Sequence, residues 1–290
     1  MIVLKADTLG YCMGVRRAMD LAVKTAESES ARPIYTLGPL IHNPQAVEDL
    51  RRKGVEVLPE GEVDGRITGH TVILRAHGVS PELRSRLEGL GARMADATCP
   101  RVLASQRRAR RFHESGYSVV LVGDRNHEEI VAVTGCAPGC SVVGSPADAE
   151  ALDLTEPVGV LAQTTVSEEE YEAVCGVLRS RYSRLEIVDT ICPATRERQE
   201  SLARLASRTD AVVVVGGRSS ANTTRLFRAV LRLGKPSWHI ETASELPPEV
   251  FGYRVVGLTA GASTPDSTIA EVEDALMGGA RGAAPPRTEG

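Results

Sequence analysis

A regular alternation of short apolar runs and amphipathic segments constrains the fold of this 290-residue chain more than any other feature. Twelve short runs, most of them rich in Val, Ile and Leu, have the length of β-strands, the first at Ile2–Ala6 and the last at Val255–Leu258. Segments of about ten to eighteen residues with helical spacing separate most of them. Strands as continuously apolar as Ala211–Val215 are typical of parallel sheets covered by helices on both faces. The sequence therefore predicts an α/β fold built on parallel sheets.

Side chains that cap helices mark where several helices begin. Asn43, Ser80 and Thr264 each precede a proline that suits the first helical turn. Ser167 and Glu170 have the spacing of a capping box. We expect a helix to start at each of these four places.

The composition excludes several classes of protein. The net charge is −4 at pH 7 and only 3% of the residues are aromatic, so neither a polycationic nucleic-acid binder nor a base-stacking platform is expected. The longest apolar runs fall far below the ~18 residues that a membrane span needs, and the amino terminus lacks the pattern of a secretory signal. We therefore expect a cytoplasmic protein whose partners include neither nucleic acid nor a membrane. In a reducing compartment the six cysteines are expected to be ligands, catalysts or core residues rather than disulfides.

One motif occurs twice, and a looser version of it occurs a third time. Asp96–Pro100 and Asp189–Pro193 share the form Asp-x-x-Cys-Pro at predicted strand-to-helix junctions, and Cys12 lies at another such junction. The three cysteines are 87 and 93 residues apart, so each begins a segment of similar size. We predict three similar α/β lobes with parallel sheets, arranged with pseudo-threefold symmetry. The predicted boundaries are residues 1–98, 99–191 and 192–278, followed by a flexible tail at 279–290.

The cysteines at these junctions are candidate metal ligands. The functional crevice of a parallel sheet lies beyond the carboxyl ends of its strands, so three lobes facing one another there would bring Cys12, Cys99 and Cys192 together. Three soft thiolates from distant points in the chain suit a central iron–sulfur cluster better than zinc, whose structural sites close with four ligands. Three cysteines on a cubane cluster leave one iron open to substrate. The alternative is that all three are small core residues, and we interpret the remaining cysteines as incidental: Cys136, Cys140 and Cys175.

Polar loops follow the other predicted strands. Glycine-containing loops that lead into helices suit phosphate, and hydroxyl and amide donors accompany two of them, namely Ser220, Asn222 and Ser263. Three histidines in such loops would neutralise a diphosphate when protonated, namely His42, His77 and His127. The other histidines are interpreted as structural: His70, His113 and His239. The arginine-rich run at 107–111 is interpreted as a solvated helix face, with an acidic electron donor as the alternative partner.

Motifs along nearly the whole chain carry a resemblance to a known family. They lie in order, without large gaps, between about residue 3 and residue 277, at residues 10–18, 42–44, 75–79, 96–100, 163–165, 189–195 and 259–263. With these motifs the sequence resembles the 4-hydroxy-3-methylbut-2-enyl diphosphate reductase family, also called the LytB/IspH family.

The resemblance implies a function and a set of site residues. It implies a [4Fe–4S] cluster held by Cys12, Cys99 and Cys192, with the open iron binding the hydroxyl oxygen of the substrate. The implied reaction is a two-electron reductive dehydration of an allylic diphosphate that gives isopentenyl and dimethylallyl diphosphates, with electrons from an external donor of the ferredoxin or flavodoxin type. The implied catalytic residues are Glu129 as the proton source, Thr164 and His127. The implied diphosphate ligands are His42, His77, His127, Ser220, Asn222 and Ser263.

Two positions depart from the family pattern and keep alternatives open. Glu128 stands where the family commonly has proline, and Ala221 stands where it commonly has serine. A specialised paralogue that acts on another allylic diphosphate is one alternative. A non-redox iron–sulfur lyase or dehydratase of similar build is another. A phospholigand-binding or sensor protein whose cysteines hold zinc, or no metal, is a third.

Overall fold

The computed structural model describes residues 1–279, which form two compact units. The first unit contains residues 1–12, 42–46 and the described chain from 196 onward, and the second contains residues 13–41 and 47–195. Within residues 1–279, no helix is both long enough and apolar enough to cross a membrane.

Twelve strands and ten α-helices are numbered along the chain. The strands are β1 (Ile2–Lys5), β2 (Ile34–Leu37), β3 (Val55–Leu58), β4 (Thr71–Leu74), β5 (Arg93–Asp96), β6 (Ser118–Val122), β7 (Ser141–Val143), β8 (Val158–Ala162), β9 (Leu185–Val188), β10 (Ala211–Val215), β11 (Ser237–Ile240) and β12 (Val255–Ala260). The helices are α1 (Met13–Ser28), α2 (Pro44–Arg52), α3 (Pro81–Gly89), α4 (Pro100–Glu114), α5 (Glu128–Thr134), α6 (Pro146–Glu150), α7 (Glu168–Arg181), α8 (Pro193–Ala206), α9 (Ala221–Arg232) and α10 (Asp266–Gly279).

The strands form three four-stranded parallel sheets that share one strand order. The second unit contains the sheets β3-β2-β4-β5 and β7-β6-β8-β9, and the first unit contains the sheet β11-β10-β12-β1. We number the four strands of each sheet by their order along the chain, except that β1 counts as the fourth strand of its sheet. The second strand then lies at one edge of the sheet, the first and third lie in the middle, and the fourth lies at the other edge. The amino-terminal strand β1 takes the place of the fourth strand in the sheet of β10 to β12.

Both faces of a sheet are covered, because successive residues of a strand point to opposite sides. In β10, Val213 and Val215 pack in the cluster that contains Val272 of α10. Val212 and Val214 pack in another cluster, together with residues of α8 and α9 such as Leu202 and Leu226. The middle strand β6 divides its side chains in the same way, with residues 120 and 122 in one cluster and residues 119 and 121 in another.

Most expectations about local structure are confirmed. Every one of the twelve predicted strands is present, with ends that differ by two residues at most, and the α/β class with three parallel sheets is correct. Side chains of Asn43 and Ser80 accept hydrogen bonds from the first helical turns, and Ser167 forms a complete capping box with Glu170. Thr264 instead donates its hydroxyl to the backbone oxygen of Val215 at 3.0 Å, because the end of β10 passes close to it.

The predicted lobe boundaries at 98/99 and 191/192 stay a prediction. Strand pairing adds that β1 belongs to the sheet of the third predicted segment. Helix α10 extends to Gly279, and the rest of the predicted flexible tail, residues 280–290, lies outside the described residues.

Candidate functional site

The three candidate ligand cysteines occupy equivalent places in the three sheets. Cys12 follows β1, Cys99 follows β5 and Cys192 follows β9, and each of these is the fourth strand of its sheet. The residue after each cysteine is the first residue of a helix: α1, α4 or α8. The repeated motif that the sequence displays therefore corresponds to a repeated strand–turn–helix junction.

One backbone hydrogen bond recurs at all three junctions. In each case the cysteine N–H donates to a carbonyl oxygen two residues beyond the end of the third strand of the same sheet. The pairs are Cys99 with Ala76 at 2.9 Å, Cys192 with Thr164 at 2.9 Å and Cys12 with Ala262 at 3.2 Å. The turn that carries each cysteine is thus tied to the loop that carries another group of predicted site residues.

The aspartate of the Asp-x-x-Cys-Pro motif shapes the turn before the cysteine. The carboxylate of Asp96 accepts the N–H of Thr98 at 2.9 Å, and the carboxylate of Asp189 accepts the N–H of Ile191 at 3.0 Å. This is the arrangement of an Asx turn. Burial tends to raise the pKa of Asp96, but hydrogen bonds from Thr98 and the ion pair with Arg84 outweigh it and hold that pKa below its usual range.

None of the six cysteines, each within the described part of the chain, forms a disulfide. Cys12, Cys99, Cys192 and Cys140 are half-buried, and Cys136 and Cys175 are buried. Burial raises the pKa of Cys136, and it raises the pKa of both Cys140 and Cys175 to about 11. A thiol whose pKa is raised stays protonated at neutral pH and is a poor metal ligand, which agrees with an incidental role for these three.

A buried carboxyl group in the second unit lies at the end of the sheet of β6 to β9. Glu129 is 2% exposed. Its Oε1 accepts the backbone N–H of Thr164 at 2.7 Å, and its Oε2 is 2.7 Å from the Thr164 hydroxyl. The Glu129 N–H donates to Nδ1 of His127, the residue that caps α5, at 3.1 Å. Two of the predicted catalytic residues, Thr164 and His127, therefore each contact the third, Glu129.

His77 and Gln163 lie next to this group. The rings of His77 and His127 are 5.3 Å apart and nearly perpendicular. Gln163 accepts the N–H of Asp124 through Oε1, while its buried Nε2 has no hydrogen-bond partner within the described residues. A Cβ at Gly123 would lie 2.7 Å from Gln163, so this approach requires glycine.

The first unit brings together a set of neutral donors at the amino terminus of α9. Ser220 caps the helix, and its hydroxyl is 3.5 Å from that of Ser263, which in turn donates to the backbone oxygen of His42 at 3.2 Å. A Cβ at Gly217 would lie 2.4 Å from that same His42 oxygen. Asn222 follows in the first turn of α9 and is 7% exposed.

Two buried amides in this unit have an NH2 group that contacts no acceptor. Within residues 1–279, neither Nδ2 of Asn222 nor Nδ2 of Asn43 has a hydrogen-bond partner. A buried donor left without a partner costs about 1–3 kcal/mol, so each such atom is a candidate contact for a ligand. Asn222 was predicted from the sequence, whereas Asn43 was predicted only as a helix cap.

Arg198 on α8 is a further residue that the sequence analysis missed. Its side chain is the largest of the fully buried ones among the described residues. Nη1 donates to the backbone oxygen of Ala260 and Nη2 to that of Gly10, both at 3.0 Å. It therefore joins the end of β12 to the turn that carries Cys12. The sequence does contain a signal for this role, because Arg198 is a charged residue on the same helix face as the apolar Leu202 and Leu205.

The two positions that depart from the family pattern lie at helix starts. Glu128 is the first residue of α5 and Ala221 is the first residue of α9. Both are half-buried, and the backbone arrangement around the Ser220 cap is complete with alanine at 221.

Fold and side chains together define a class of protein. It is a parallel α/β protein whose three sheets each present a cysteine turn at the fourth strand and polar loops at the first and third strands. The chain matches the family model described as "LytB protein" over residues 3–277, and it belongs to that family.

Relatives that are named for an enzymatic activity match the chain over nearly its whole length. A 4-hydroxy-3-methylbut-2-enyl diphosphate reductase of Treponema denticola is 45% identical over 290 residues, which covers 96% of this chain and 100% of that protein. The protein of the same name from Aquifex aeolicus is 41% identical and covers 95% of this chain and 96% of its own length.

Two solved structures are similar in fold. The E-1-hydroxy-2-methyl-but-2-enyl-4-diphosphate reductase from Plasmodium falciparum matches with a TM-score of 0.89 and 25% identity, covering 94% of this chain and 87% of that one. A structure of (E)-4-hydroxy-3-methyl-but-2-enyl diphosphate reductase, described as the terminal enzyme of the non-mevalonate pathway, matches with a TM-score of 0.68 and 38% identity, covering 96% of this chain and all of that one.

Proposed function

We propose that this protein reduces 4-hydroxy-3-methylbut-2-enyl diphosphate to isopentenyl and dimethylallyl diphosphates, the last step of the methylerythritol phosphate route. The allylic C–O bond breaks, two electrons and two protons are consumed, and water leaves. Membership of the LytB family and the names of relatives at 41–45% identity support this reaction.

The observation that carries the proposal is the equivalence of the three cysteine turns. Cys12, Cys99 and Cys192 are half-buried cysteines at the same position of three sheets of identical order, and each is held by the same backbone hydrogen bond. Three thiols at helix starts fit a [4Fe–4S] cluster with one iron left open, because helix amino termini favour the thiolate and an anionic cluster. Such a cluster supplies a Lewis acid for the hydroxyl oxygen and a path for electrons.

Glu129 is the proposed proton donor. The Thr164 hydroxyl donates to the buried Oε2 of Glu129 at 2.7 Å, and once the carboxyl group is protonated the same hydroxyl oxygen can accept its proton in a hydrogen bond. The backbone N–H of Thr164 fixes the other carboxyl oxygen, so the carboxyl plane does not rotate. Thr164 therefore orients the carboxyl group and extends its reach toward the leaving hydroxyl group. His127 stays close through the Glu129 N–H.

The diphosphate is assigned to neutral donors and to histidines. Ser220, Ser263 and the unpartnered amide of Asn222 provide donors at the start of α9, where the helix dipole favours an anion. His42, His77 and His127 complete the proposed set and add positive charge when protonated. Because the diphosphate is remote from the bond that breaks, these contacts supply binding energy and orientation.

An anaerobic assay with identified products tests the proposal. Reconstituted protein is given 4-hydroxy-3-methylbut-2-enyl diphosphate and reduced methyl viologen, and the organic products are identified by mass spectrometry. We expect both isopentenyl and dimethylallyl diphosphates, in a total that matches half the electrons consumed. Product formation without a reductant would instead indicate a non-redox lyase, and no conversion by cluster-loaded protein would contradict the proposal.

A further inference from the structure

Helix α4 concentrates positive charge directly after Cys99. Within Pro100–Glu114 there are five arginines and one glutamate, a net charge of +4 in a chain whose net charge is −4. Arg101, Arg107, Arg110 and Arg111 are exposed. At 1.5 Å per residue, the arginines extend over about 15 Å along the helix.

These arginines have no carboxylate partners of their own. Within the described part of the chain, no Asp or Glu side chain forms an ion pair with any of the five. Arginines of two other helices are paired, since Arg51 pairs with Glu48 on α2 at 3.6 Å and Arg179 pairs with Glu172 on α7 at 2.9 Å. The charge on α4 is therefore available to a partner.

A basic pocket in the second unit lies against the same helix. Its volume is about 270 Å³, and its lining includes no carboxylate. It is lined by Arg107 and Arg110, by Arg84, whose charge is paired with Asp96, and by polar groups of Ser85, Thr98 and Gln106. The amide of Gln106 donates to the backbone oxygens of both Val79 and Ala132, at 2.9 and 3.0 Å, so one wall is held in place. Such a pocket accommodates an acidic side chain of a partner.

The pocket is adjacent in sequence to a proposed cluster ligand. Thr98 lines the pocket, and the next residue, Cys99, caps the amino terminus of α4. A partner seated at this pocket would therefore lie next to the turn that carries Cys99, a proposed cluster ligand. A reductase that takes up two electrons per turnover needs such an external source.

We propose that the arginine face of α4 and its pocket are the docking surface for an acidic one-electron carrier protein, which binds twice per turnover and gives one electron each time. This inference rests on the proposed function, because it names the electron source for that reaction. The chemistry that recognises the partner is a cluster of Asp and Glu side chains facing the arginines. Steering by such charges raises association rates about 10- to 1000-fold and is weakened by salt.

A double charge reversal tests the surface against a matched control. The variant Arg107→Glu/Arg110→Glu removes the positive wall of the pocket. The control Arg228→Glu/Arg232→Glu makes the same change in net charge on α9, at two exposed arginines that also lack ion pairs. Turnover is measured anaerobically with a purified acidic flavodoxin as donor and, separately, with reduced methyl viologen.

We expect kcat/KM for flavodoxin to fall about 10- to 100-fold in the α4 variant at low salt, with less than a threefold change in the control. The difference should shrink as NaCl is added, because salt screens exposed charges. Turnover with methyl viologen should stay within about twofold of the parent in both variants. The neutral variant Arg107→Gln/Arg110→Gln should fall between the parent and the charge reversal.

Equal losses in the α4 variant and the control would overturn the proposal, as would unchanged flavodoxin kinetics in the α4 variant. Flavodoxin binding measured by calorimetry at low salt decides the matter independently of turnover. If methyl viologen drives no reaction in the parent, the proposed function fails, whereas loss of flavodoxin binding in the α4 variant alone would still support the docking surface. Saturable binding of inorganic phosphate in the pocket without flavodoxin binding would indicate a small-anion site and contradict it.

Discussion

Removing the buried guanidinium of Arg198 should destabilise the first unit and the turn that carries Cys12. We consider the substitution Arg198→Met, which keeps a long side chain and deletes both donors. The parent makes two charge-assisted hydrogen bonds of 3.0 Å to the backbone oxygens of Ala260 and Gly10. Both oxygens would lose this partner in the variant.

The expected loss follows from those contacts. A hydrogen bond to a charged group contributes about 1.5–3 kcal/mol, so the two bonds together contribute about 3–6 kcal/mol. Methionine recovers about 1 kcal/mol by packing, which leaves a net cost of roughly 2–5 kcal/mol. At about 2–4 °C per kcal/mol for a large single-chain protein, Tm should fall by roughly 4–20 °C. The control is Arg204→Met on the same helix, whose ion pair with Asp7 is exposed and worth at most about 1 kcal/mol.

Thermal unfolding of the cluster-loaded proteins under anaerobic conditions, followed by circular dichroism, measures both variants. The Arg198→Met variant should also lose the visible absorbance of its iron–sulfur cluster faster in air, because the turn that carries Cys12 is less well held. A fall in Tm no larger than that of Arg204→Met would refute the structural role assigned to Arg198.

Substitutions at three other places test the proton donor, the anion site and the close approach of two loops. Glu129→Gln should lower kcat at least about 100-fold and leave iron and sulfide content unchanged, and a kcat within tenfold of the parent would exclude Glu129 as the proton source. Asn222→Ala should raise KM for the diphosphate roughly 5- to 30-fold with little change in kcat, and an unchanged KM would remove Asn222 from the anion site. Gly217→Ala should lower Tm by several degrees, because the added Cβ would lie 2.4 Å from the backbone oxygen of His42. The control Gly176→Ala on α7 has open space around it and should leave Tm unchanged or raise it. Equal changes in Tm for the two variants, measured by calorimetry, would contradict this packing.

Local features of this chain can be predicted from the sequence because they depend on neighbouring residues. The β-branched runs, the Ser167 capping box and the Asp-x-x-Cys-Pro turns each involve contacts within a few positions. The Asn43 and Ser80 caps belong to the same group. Thr264 is the exception, because its hydroxyl bonds to a strand that lies 49 residues earlier in the chain.

Features that depend on distant contacts could not be predicted in this way. Nothing in Ile2–Lys5 indicates that it pairs with Val255–Leu258, since both runs are simply apolar. The pairing places Cys12 at a junction equivalent to those of Cys99 and Cys192, although the other strands of its sheet lie near the carboxyl end of the chain. The role of Arg198 likewise depends on two carbonyl groups that lie 188 and 62 residues away.

The repeated Asp-x-x-Cys-Pro motif and the cysteine spacing predict three ligands, and the sheets give that prediction a physical basis. Equivalent strands place the three cysteines at equivalent junctions, with the same N–H···O bond at each. The assignment of Glu129 came from the resemblance, and its contacts with Thr164 provide the chemical reason for it.

The iron and acid-labile sulfide content of anaerobically purified protein tests the central claim most directly. The parent should contain about four of each per chain, and Cys12→Ser, Cys99→Ser and Cys192→Ser should each lose most of both, while Cys175→Ser should match the parent. A parent that binds zinc or no metal after reconstitution, or a ligand variant that keeps a full cluster, would contradict the account.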